Sequence, residues 1–383
     1  MSKKCVQQKI TEREQAAIDF ATQAHEGQKR KSGEPYIIHP LAVMNILREW
    51  GMDEDTVIAG VLHDTVEDTG VTLDEIKEKF GETVAFLVDG VTKLGKARQG
   101  MRDIDTYLPA TKDNLLRLLI ATGADIRVLI IKLADRLHNL RTLSALPPEK
   151  QKKIGKESLE IFSPLADRLN MGRLRVEISD IAFSYVDPKR FEFLKKLIEE
   201  RNKSAEKSLE KIKKEVSEKL VEEKIKFEID GRVKSVYSLH KKLAKYNQNI
   251  DEVYDLTALR IIVEDVTDCY LTLGIIHALY TPMTGRIKDY VAMPKQNGYQ
   301  SLHTTVITKD KRIVEFQIRT KDMHEYAERG LAASFFYNEQ KLTENYKMGK
   351  IQHLPTNLLW ISELQMAAAQ LKEGKQVDMK KLK

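Results

Sequence analysis

Apolar residues recur every three or four positions along the first third of the chain, from residue 10 to about residue 143. This spacing places them on one face of successive helices. Asp53 can cap a helix that runs through VIAGVLHDTVED and ends at Gly70, and a second helix is predicted over Ile126–Leu143. We therefore predict an all-α first domain over residues 1–148.

The pattern changes after the Lys/Glu-rich run RNKSAEKSLEKIKKEVSEKLVEEK. We interpret residues 149–224, which end in this run, as a helical linker. Beyond it apolar and polar residues alternate with a period near 2. This pattern predicts four strands, in ALRIIVED, IKDYVA, LHTTVIT and RIVEFQIRT, with KDK as a hairpin turn between the last two. Helical segments lie between the strands, so an α+β domain is predicted over residues 225–340, followed by a helical tail over 341–383.

Composition narrows the protein class. A length of 383 residues exceeds what one hydrophobic core usually supports, and 42% hydrophobic with 31% charged residues is typical of folded domains. The start of the chain lacks the apolar core of a signal peptide, and no segment reaches the roughly 20 apolar residues that cross a bilayer, so a cytoplasmic location without membrane partners is expected. Cys5 and Cys269 lack CxxC partners, so a metal would need His and carboxylate ligands.

Positive charge is concentrated in one window. Residues 201–250 hold 14 Lys/Arg and 8 Asp/Glu, which accounts for the whole net charge of +6. A solvated helix face and a surface that attracts phosphates both fit this excess.

One His and three carboxylates fall within the segment HDTVED. On a continuous helix, positions 63 and 67 share one face, and positions 64 and 68 share the neighbouring face. His63 and Asp64 could then reach one divalent ion, while Glu67 and Asp68 could transfer protons or hold a metal-bound water. A solvated acidic helix end is the alternative, but the apolar VIAGVL before it favours a metal-dependent hydrolase.

A further carboxylate, Asp135, lies in the largely apolar helix IRVLIIKLADRLHNL, where an unpaired charge would be costly to bury. It therefore needs a cation, which could be a metal ion or the neighbouring Arg136. Asn139 lies on the same helix face, four residues further on. His39, directly before Pro40, could supply another imidazole, although a single His at a helix start is more often structural.

The segments HEGQKRKSGEPYIIHP, AGVLHDTVEDT and KLADRLHNLRTL resemble the HD phosphohydrolases, and more specifically the hydrolase half of the RelA/SpoT homologues. Those enzymes remove the 3′-pyrophosphate from guanosine tetra- and pentaphosphate, (p)ppGpp. The resemblance implies manganese on four ligands, proton transfer by two carboxylates and nucleotide binding by three polar residues. The four implied metal ligands are His39, His63, Asp64 and Asp135, and the two carboxylates are Glu67 and Asp68. The three implied nucleotide-binding residues are Arg30, Lys31 and Asn139.

The strand RIVEFQIRT alternates, so Glu315, Gln317 and Arg319 share one polar face. This face could be the solvent side of an ordinary antiparallel sheet. Nucleotidyl or pyrophosphoryl transfer, however, needs cations for phosphates, a carboxylate for magnesium and a group that orients the attacking hydroxyl. Candidates of these kinds flank the neighbouring strands, and they are Arg232, Lys234, Lys241 or Lys242, Asp255, Lys288, Asp289, Lys295, Asn297, Tyr299 and His303.

The run RIKDYVAMPKQNGYQSLHTTV is similar to the synthetase domain of the same family. The resemblance implies a nucleotidyltransferase-like mixed sheet that transfers pyrophosphate from ATP to the 3′-hydroxyl of GDP or GTP and releases AMP. Asp255 would hold magnesium, Glu315 would orient or activate the 3′-hydroxyl, and Tyr299 would stack on guanine. The remaining residues that the resemblance implies, around the phosphates, are Arg232, Lys234, Lys242, Lys288, Lys295 and His303. Asn297 and Gln317 are further predicted substrate residues.

Two activities are expected in one chain. The tetrad Arg286–Asp289 matches the basic variant associated with bifunctional members, and HDTVED is intact. Rival interpretations are a hydrolase with an inactive synthetase half and a non-enzymatic RNA-binding module that uses the basic window.

The resemblance covers residues 10–340 and ends before the regulatory region of long family members, so ribosome binding is not expected for this polypeptide. Because opposing reactions would form a futile cycle, residues 149–224 are hypothesised to couple the two sites.

Overall fold

A computed structural model describes residues 9–103, 125–232, 235–247 and 258–330. The chain divides into two compact units, with the division after Pro148. The described part of the first unit is helical, whereas the second combines helices with a mixed sheet. These observations confirm the predicted fold class. The separate linker over 149–224 and the tail over 341–383 stay predictions, and the tail lies outside the described residues.

In the first unit, acidic caps start two of the helices. Asp53 accepts a hydrogen bond from the backbone N–H of Thr56, and Asp125 accepts one from that of Arg127, as N-cap side chains do. The described helices of this unit are α1 (Glu12–Ala24), α2 (Ile38–Trp50), α3 (Glu54–Leu62), α4 (Thr65–Asp68), α5 (Leu73–Phe80), α6 (Glu82–Asp103) and α7 (Ile126–Arg141).

The prediction of one continuous helix from Asp53 to Gly70 is wrong, because α3 ends at Leu62 and α4 starts at Thr65. Side chains take over the backbone acceptors at this break. His63 Nδ1 lies 2.8 Å from the carbonyl oxygen of Gly60, and the Thr65 hydroxyl donates to the carbonyl of Leu62 at 2.7 Å. The argument from shared helix faces therefore does not apply.

The core of the first unit forms around α3 and α7, which are buried on nearly all sides. Close packing is possible because Gly60 lacks a side chain. A Cβ atom there would lie 2.3 Å from Leu47 Cδ1 of α2. Helices α2 and α3 can therefore approach closely, and this approach brings the end of α3 next to the start of α2.

In the second unit, two helical layers pack on a sheet whose core is formed by apolar residues of the strands and of two long helices. The described helices are α8 (Pro148–Glu157), α9 (Ser163–Arg168), α10 (Gly172–Val186), α11 (Pro188–Glu222), α12 (Val236–Lys245), α13 (Val266–Leu279) and α14 (Lys321–Arg329), with a π-helical turn at Ser158–Phe162. The strands are β1 (Phe227–Arg232), β2 (Ala258–Val263), β3 (Thr281–Pro282), β4 (Lys288–Asp289), β5 (Leu302–Ile307) and β6 (Ile313–Thr320).

The sheet order is β1-β2-β6-β5-β3, and β4 also pairs with β5. Strands β2 and β6 are parallel, while the other pairs are antiparallel, so the sheet is mixed as predicted. The predicted hairpin between β5 and β6 is confirmed, and Lys311 in its turn adopts a φ of 60°. Strands β1 and β3 are additions to the four predicted ones.

Much of the basic window forms the solvent face of α11. Its lysines make local ion pairs, such as Lys213 with Glu210 at 3.6 Å and Lys219 with Glu222 at 2.6 Å. Exposed pairs of this type contribute little to stability and keep the helix soluble. This part of the window is therefore a solvated helix face. No helix within the described ranges has the length and apolar character needed to cross a membrane.

Candidate active sites

The first site is a cluster of two imidazoles and two carboxylates in the interior of the helical unit. Candidate ligand atoms of His39, His63 and Asp135 lie within 4.8 Å of one another. These side chains are 3%, 0% and 6% exposed. Asp64 joins them through Oδ2, which is 3.1 Å from Nε2 of His63 and 3.5 Å from Nε2 of His39. The break between α3 and α4 allows the consecutive His63 and Asp64 to approach the same point.

The outer ring nitrogens of both histidines have partners that fix the rings. His63 Nδ1 faces the carbonyl of Gly60, which can only accept, so the proton lies on Nδ1 and Nε2 keeps its lone pair. His39 Nδ1 lies 2.7 Å from Nδ1 of His138. With His39 as donor and His138 as acceptor, Nε2 of His39 also keeps its lone pair.

The carboxylates are held by several donors. Lys132 Nζ lies 2.6 Å from Oδ2 of Asp135, and the side-chain amide of Asn139 donates to Oδ1 of the same carboxylate. The structure thus places Lys132 beside Asp135, a contact absent from the sequence-based alternatives of a metal ion and Arg136. Burial raises the pKa of Asp135, but the charge of Lys132 and the contact with His39 outweigh it and hold the pKa well below its usual value.

The electrostatics act in opposite directions on the histidines of the cluster. Burial lowers the pKa of His39, and burial together with His39 and Arg30 lowers the pKa of His138 to about 4. Burial alone would lower the pKa of His63 too, but the charge of Asp64 outweighs it and the pKa is raised. A cation would therefore compete with a proton at His63.

The donor set fits a divalent cation. Nε2 of His63 is buried and has no hydrogen-bond partner within the described part of the chain, although an Asp64 oxygen lies 3.1 Å away. Two imidazole nitrogens with two carboxylates suit first-row divalent metals. The residues predicted as metal ligands are thus brought together.

The predicted proton-transfer residues lie on α4, at the rim of the cluster. Glu67 and Asp68 are exposed. Asp68 is connected to the cluster by Tyr36, whose hydroxyl lies 2.8 Å from Oδ2 of Asp68 and 2.8 Å from Oδ2 of Asp64. Burial and the two carboxylates raise the pKa of Tyr36, so its hydroxyl is a neutral donor. Tyr36 is not among the residues singled out from the sequence, although it lies three positions before His39.

The predicted nucleotide-binding residues divide into two groups. Arg30 is half-buried and donates through Nη2 to Oδ1 of Asn139 at 2.9 Å, and its Nη1 lies 3.1 Å from Nδ1 of His138. Asn139 therefore bridges Arg30 and Asp135. Lys31 lies on the exposed turn before Gly33, whose φ is 90°. The guanidinium is thus fixed beside the cluster, while the lysine lies at the surface.

The second site is a cleft of about 530 Å³ in the sheet-containing unit. Within the described residues it is lined by seven Lys/Arg side chains and three Asp/Glu side chains. Predicted substrate residues in the lining are Lys242, Lys288, Lys295, Asn297, Tyr299, His303, Glu315 and Gln317. The adjacent Lys241 lies over the ring of Tyr237 at 5.8 Å, and of the two lysines it is Lys242 that lines the cleft.

A chain of hydrogen bonds leads to Glu315 on β6. His303 Nδ1 lies 3.1 Å from Oε1 of Glu315, and the Tyr299 hydroxyl lies 2.9 Å from Nε2 of His303. Because a carboxylate accepts, the consistent assignment has His303 donating from Nδ1 and accepting at Nε2 from Tyr299. Both His303 and Glu315 keep 14% side-chain exposure, so the carboxylate is oriented by protein and still reachable from the cleft.

The aromatic wall of the cleft carries a positive charge. Lys295 Nζ lies 4.7 Å from the ring centroids of Tyr290 and of Tyr299. Asn297 is held through its amide, which donates to the carbonyl of Asp167 at 2.8 Å. The predicted stacking residue Tyr299 is thus packed among other polar groups of the site.

The floor of the cleft shows that the polar face of β6 is not solvated, so the alternative of an ordinary solvent face is wrong. Gln317 is 2% exposed, and its Nε2 has no hydrogen-bond partner among the residues that the structure describes. Arg260 on β2 and Arg319 on β6 both donate to Oε1 of Glu328 on α14, at 3.1 and 3.2 Å. Two guanidinium groups share one carboxylate, which leaves the floor positively charged.

Helix α10 contributes Arg173 and Arg175 to the lining, and neither was singled out from the sequence. Arg175 lies 3.1 Å from Oδ1 of Asp167. The helix approaches the cleft because Gly172 packs on α14, where a Cβ atom would lie 2.5 Å from the carbonyl oxygen of Ala327. Asp180, further along α10, accepts from the backbone N–H of Tyr237 and so caps α12. The sequence signal that could have identified Arg173 and Arg175 is a pair of arginines two positions apart at the start of a helix.

Comparison with known proteins supports both units. An HD domain model matches residues 17–172, and a model of the region found in RelA / SpoT proteins matches residues 231–342. The chain is 46% identical to a guanosine-3′,5′-bis(diphosphate) 3′-pyrophosphohydrolase of Aquifex aeolicus, over 85% of this chain and 46% of the relative.

The chain is also 45% identical to a probable GTP pyrophosphokinase of Mycobacterium leprae, over 85% of this chain and 41% of the relative. It is 42% identical to the bifunctional (p)ppGpp synthase/hydrolase SpoT of Escherichia coli, over 91% and 48% respectively. The chain belongs to the RelA/SpoT homologues. It spans less than half the length of these relatives.

For this RelA/SpoT homologue, three predicted synthetase residues cannot be placed in the cleft. Lys234 and Asp255 lie outside the described residues, and of Arg232 only the backbone is described. Arg232 ends β1 opposite Ala258, and β2 is also the strand that follows Asp255 in the sequence. The roles of all three stay predictions.

Proposed function

We propose that this chain is a bifunctional enzyme that hydrolyses (p)ppGpp in its helical unit and synthesises it in its sheet-containing unit. The observation that carries the proposal is the presence of two assembled but chemically different sites in one chain. One is a buried His/Asp cluster with two imidazole lone pairs towards its centre. The other is a basic cleft with an oriented carboxylate.

In the hydrolase reaction, water attacks the phosphorus bonded to the 3′-oxygen, the bond between that phosphorus and the 3′-oxygen breaks, and GDP or GTP and pyrophosphate leave. His39, His63, Asp64 and Asp135 would hold the cation, which we assign as manganese from the family resemblance. The cation supplies charge neutralisation and lowers the pKa of water. Asp68 and Glu67 would accept the proton of the attacking water, and Arg30 would bind the nucleotide beside the cluster.

In the synthetase reaction, the 3′-hydroxyl of GDP or GTP attacks the β-phosphorus of ATP. The bond from the β-phosphorus to the α,β-bridging oxygen breaks, AMP leaves, and Glu315 accepts the hydroxyl proton. His303 holds Glu315 in place, while Lys242, Lys288 and Lys295 would neutralise the phosphates. The assignment of magnesium to Asp255 and of guanine to Tyr299 rests on the resemblance alone.

The test is turnover by the full chain, with ATP plus GDP and magnesium in one assay and guanosine tetraphosphate with manganese in the other. We expect AMP and guanosine tetraphosphate in the first, and GDP and pyrophosphate in the second. Glu315→Gln should abolish only synthesis, and Asp64→Ala only hydrolysis.

The outcomes separate the rival interpretations. Hydrolysis without AMP formation would reduce the chain to a hydrolase with an inactive synthetase half. Absence of both activities, with RNA affinity that falls steeply with salt, would overturn the proposal in favour of a binding module.

A further inference from the structure

Tyr36 occupies a position that the proposed hydrolase roles leave unexplained. Its hydroxyl lies 2.8 Å from Oδ2 of Asp64, a metal-ligand candidate, and 2.8 Å from Oδ2 of Asp68, the proton-transfer candidate. The same hydroxyl thus contacts both carboxylates. The hydroxyl therefore links the side chains of the cation cluster to the exposed end of α4.

This contact is built into the loop before α2. The ring of Tyr36 stacks on that of His25, with centroids 4.7 Å apart and an interplanar angle of 29°. The backbone N–H of Tyr36 donates to the carbonyl of Gln28 at 3.0 Å. The amide of the same Gln28 donates to the carbonyl of Asp68 at 2.9 Å, and its Oε1 lies 2.9 Å from Nδ1 of His25. One residue, Gln28, thus positions both Tyr36 and Asp68.

A tyrosine hydroxyl has a single proton, so it can donate fully to one of the two carboxylates at a time. A carboxylate has several acceptor sites, so Asp64 could accept from the hydroxyl and bind a divalent cation on the side of His39 and His63 at the same time. Binding of the cation and orientation of the proton acceptor would then be connected through one side chain.

We propose that Tyr36 is a positioning residue for (p)ppGpp hydrolysis, which orients Asp68 relative to the cation and supports Asp64 as its ligand. This inference rests on the proposed hydrolase function. It predicts that loss of the hydroxyl alone, with the ring retained, weakens cation binding and slows turnover without weakening substrate binding.

The experiment uses the full chain carrying Tyr36→Phe, which keeps the stacking on His25. We expect Mn²⁺ affinity, measured by calorimetric titration without nucleotide, to fall about tenfold, since partners of metal ligands typically contribute 10- to 100-fold. The kcat for hydrolysis should fall by about 10- to 100-fold, with KM for guanosine tetraphosphate within about twofold. Synthesis should be unchanged, and Tyr185→Phe on α10 serves as the matched control that alters neither value.

A double-mutant cycle with Asp68→Asn decides whether Tyr36 acts through Asp68. If it does, Tyr36→Phe has little further effect on kcat in the Asp68→Asn background. Independent, multiplying effects on kcat, or Mn²⁺ affinity within twofold of the wild type, would overturn the inference. If the wild type hydrolyses nothing, the proposed function fails, while the Mn²⁺ titration still decides the connection between Tyr36 and Asp64.

Discussion

The two sites differ in how deeply their side chains are buried and in which elements supply them. The His/Asp cluster is formed where α2, the break between α3 and α4, and α7 converge, and its key side chains are almost completely buried. The basic cleft has a volume of about 530 Å³, and its groups come from strands, loops and the start of α10. One site concentrates a few groups on one point, whereas the other distributes charge over a surface.

This difference follows from what each proposed reaction requires the protein to bind. A single cation needs few ligands at fixed distances, and burial strengthens their interaction with it. Transfer between two nucleotides needs cations along two phosphate chains and one oriented carboxylate. We therefore expect single changes to be severe in the cluster and graded in the cleft.

The largest effect is expected for Asp135→Asn, which removes a ligand candidate and leaves the buried Lys132 without its carboxylate. Breaking a buried pair in this way should lower the free energy of unfolding of the first unit by about 3–5 kcal/mol, measured by denaturant-dependent hydrogen exchange in α7. The matched variant Lys132→Met/Asp135→Asn should recover most of the stability but no hydrolysis. Wild-type stability of Asp135→Asn would contradict this account.

In the cleft, His303→Ala should lower kcat for synthesis by up to about a hundredfold, because a misplaced Glu315 cannot orient the 3′-hydroxyl. The control is His277→Ala. His277 bonds Thr304, the next residue on β5, at 2.8 Å, and successive strand residues face opposite sides of the sheet. Equal losses of synthesis in the two variants would show that His303 is merely structural.

A smaller effect is expected where α10 meets α14. Gly172→Ala places a Cβ atom 2.5 Å from the backbone of Ala327, so we expect a loss of about 1–3 kcal/mol in the stability of the second unit. Synthesis should weaken through displacement of Arg173, while hydrolysis stays unchanged. Gly274→Ala on α13, where nothing lies within 4 Å, should be neutral or stabilising. Denaturant titrations of both variants provide the measurement.

The smallest effect should follow Arg173→Ala. This exposed side chain lines the cleft, so its loss should raise KM for ATP or GDP by about two- to fivefold, the range of a solvent-screened charge interaction. The increase should shrink at high salt. Lys203→Ala, on the exposed face of α11, should leave both KM values unchanged. An effect on kcat alone would argue against a substrate contact.

The sequence was sufficient to predict the fold class, many of the helices and strands, and the candidate site residues. Helix caps such as Asp53 and Asp125, the alternation along β6 and the hairpin at KDK are local features that depend on neighbouring residues only. The metal-ligand candidates were identified in a different way, through sequence motifs that resemble those of a known family. For the caps, the alternation and the hairpin, short-range physical chemistry was sufficient.

Tertiary structure decided how the residues meet. The break after Leu62 is itself local, since His63 and Thr65 bond carbonyl groups three residues earlier, but the packing that brings it beside His39 and Asp135 is not. Contacts of Tyr36 with Asp64, and of α10 with the cleft, join positions far apart in sequence. Burial of the polar face of β6 likewise arises from packing of α14, because exposure is a property of the folded surface and not of the strand.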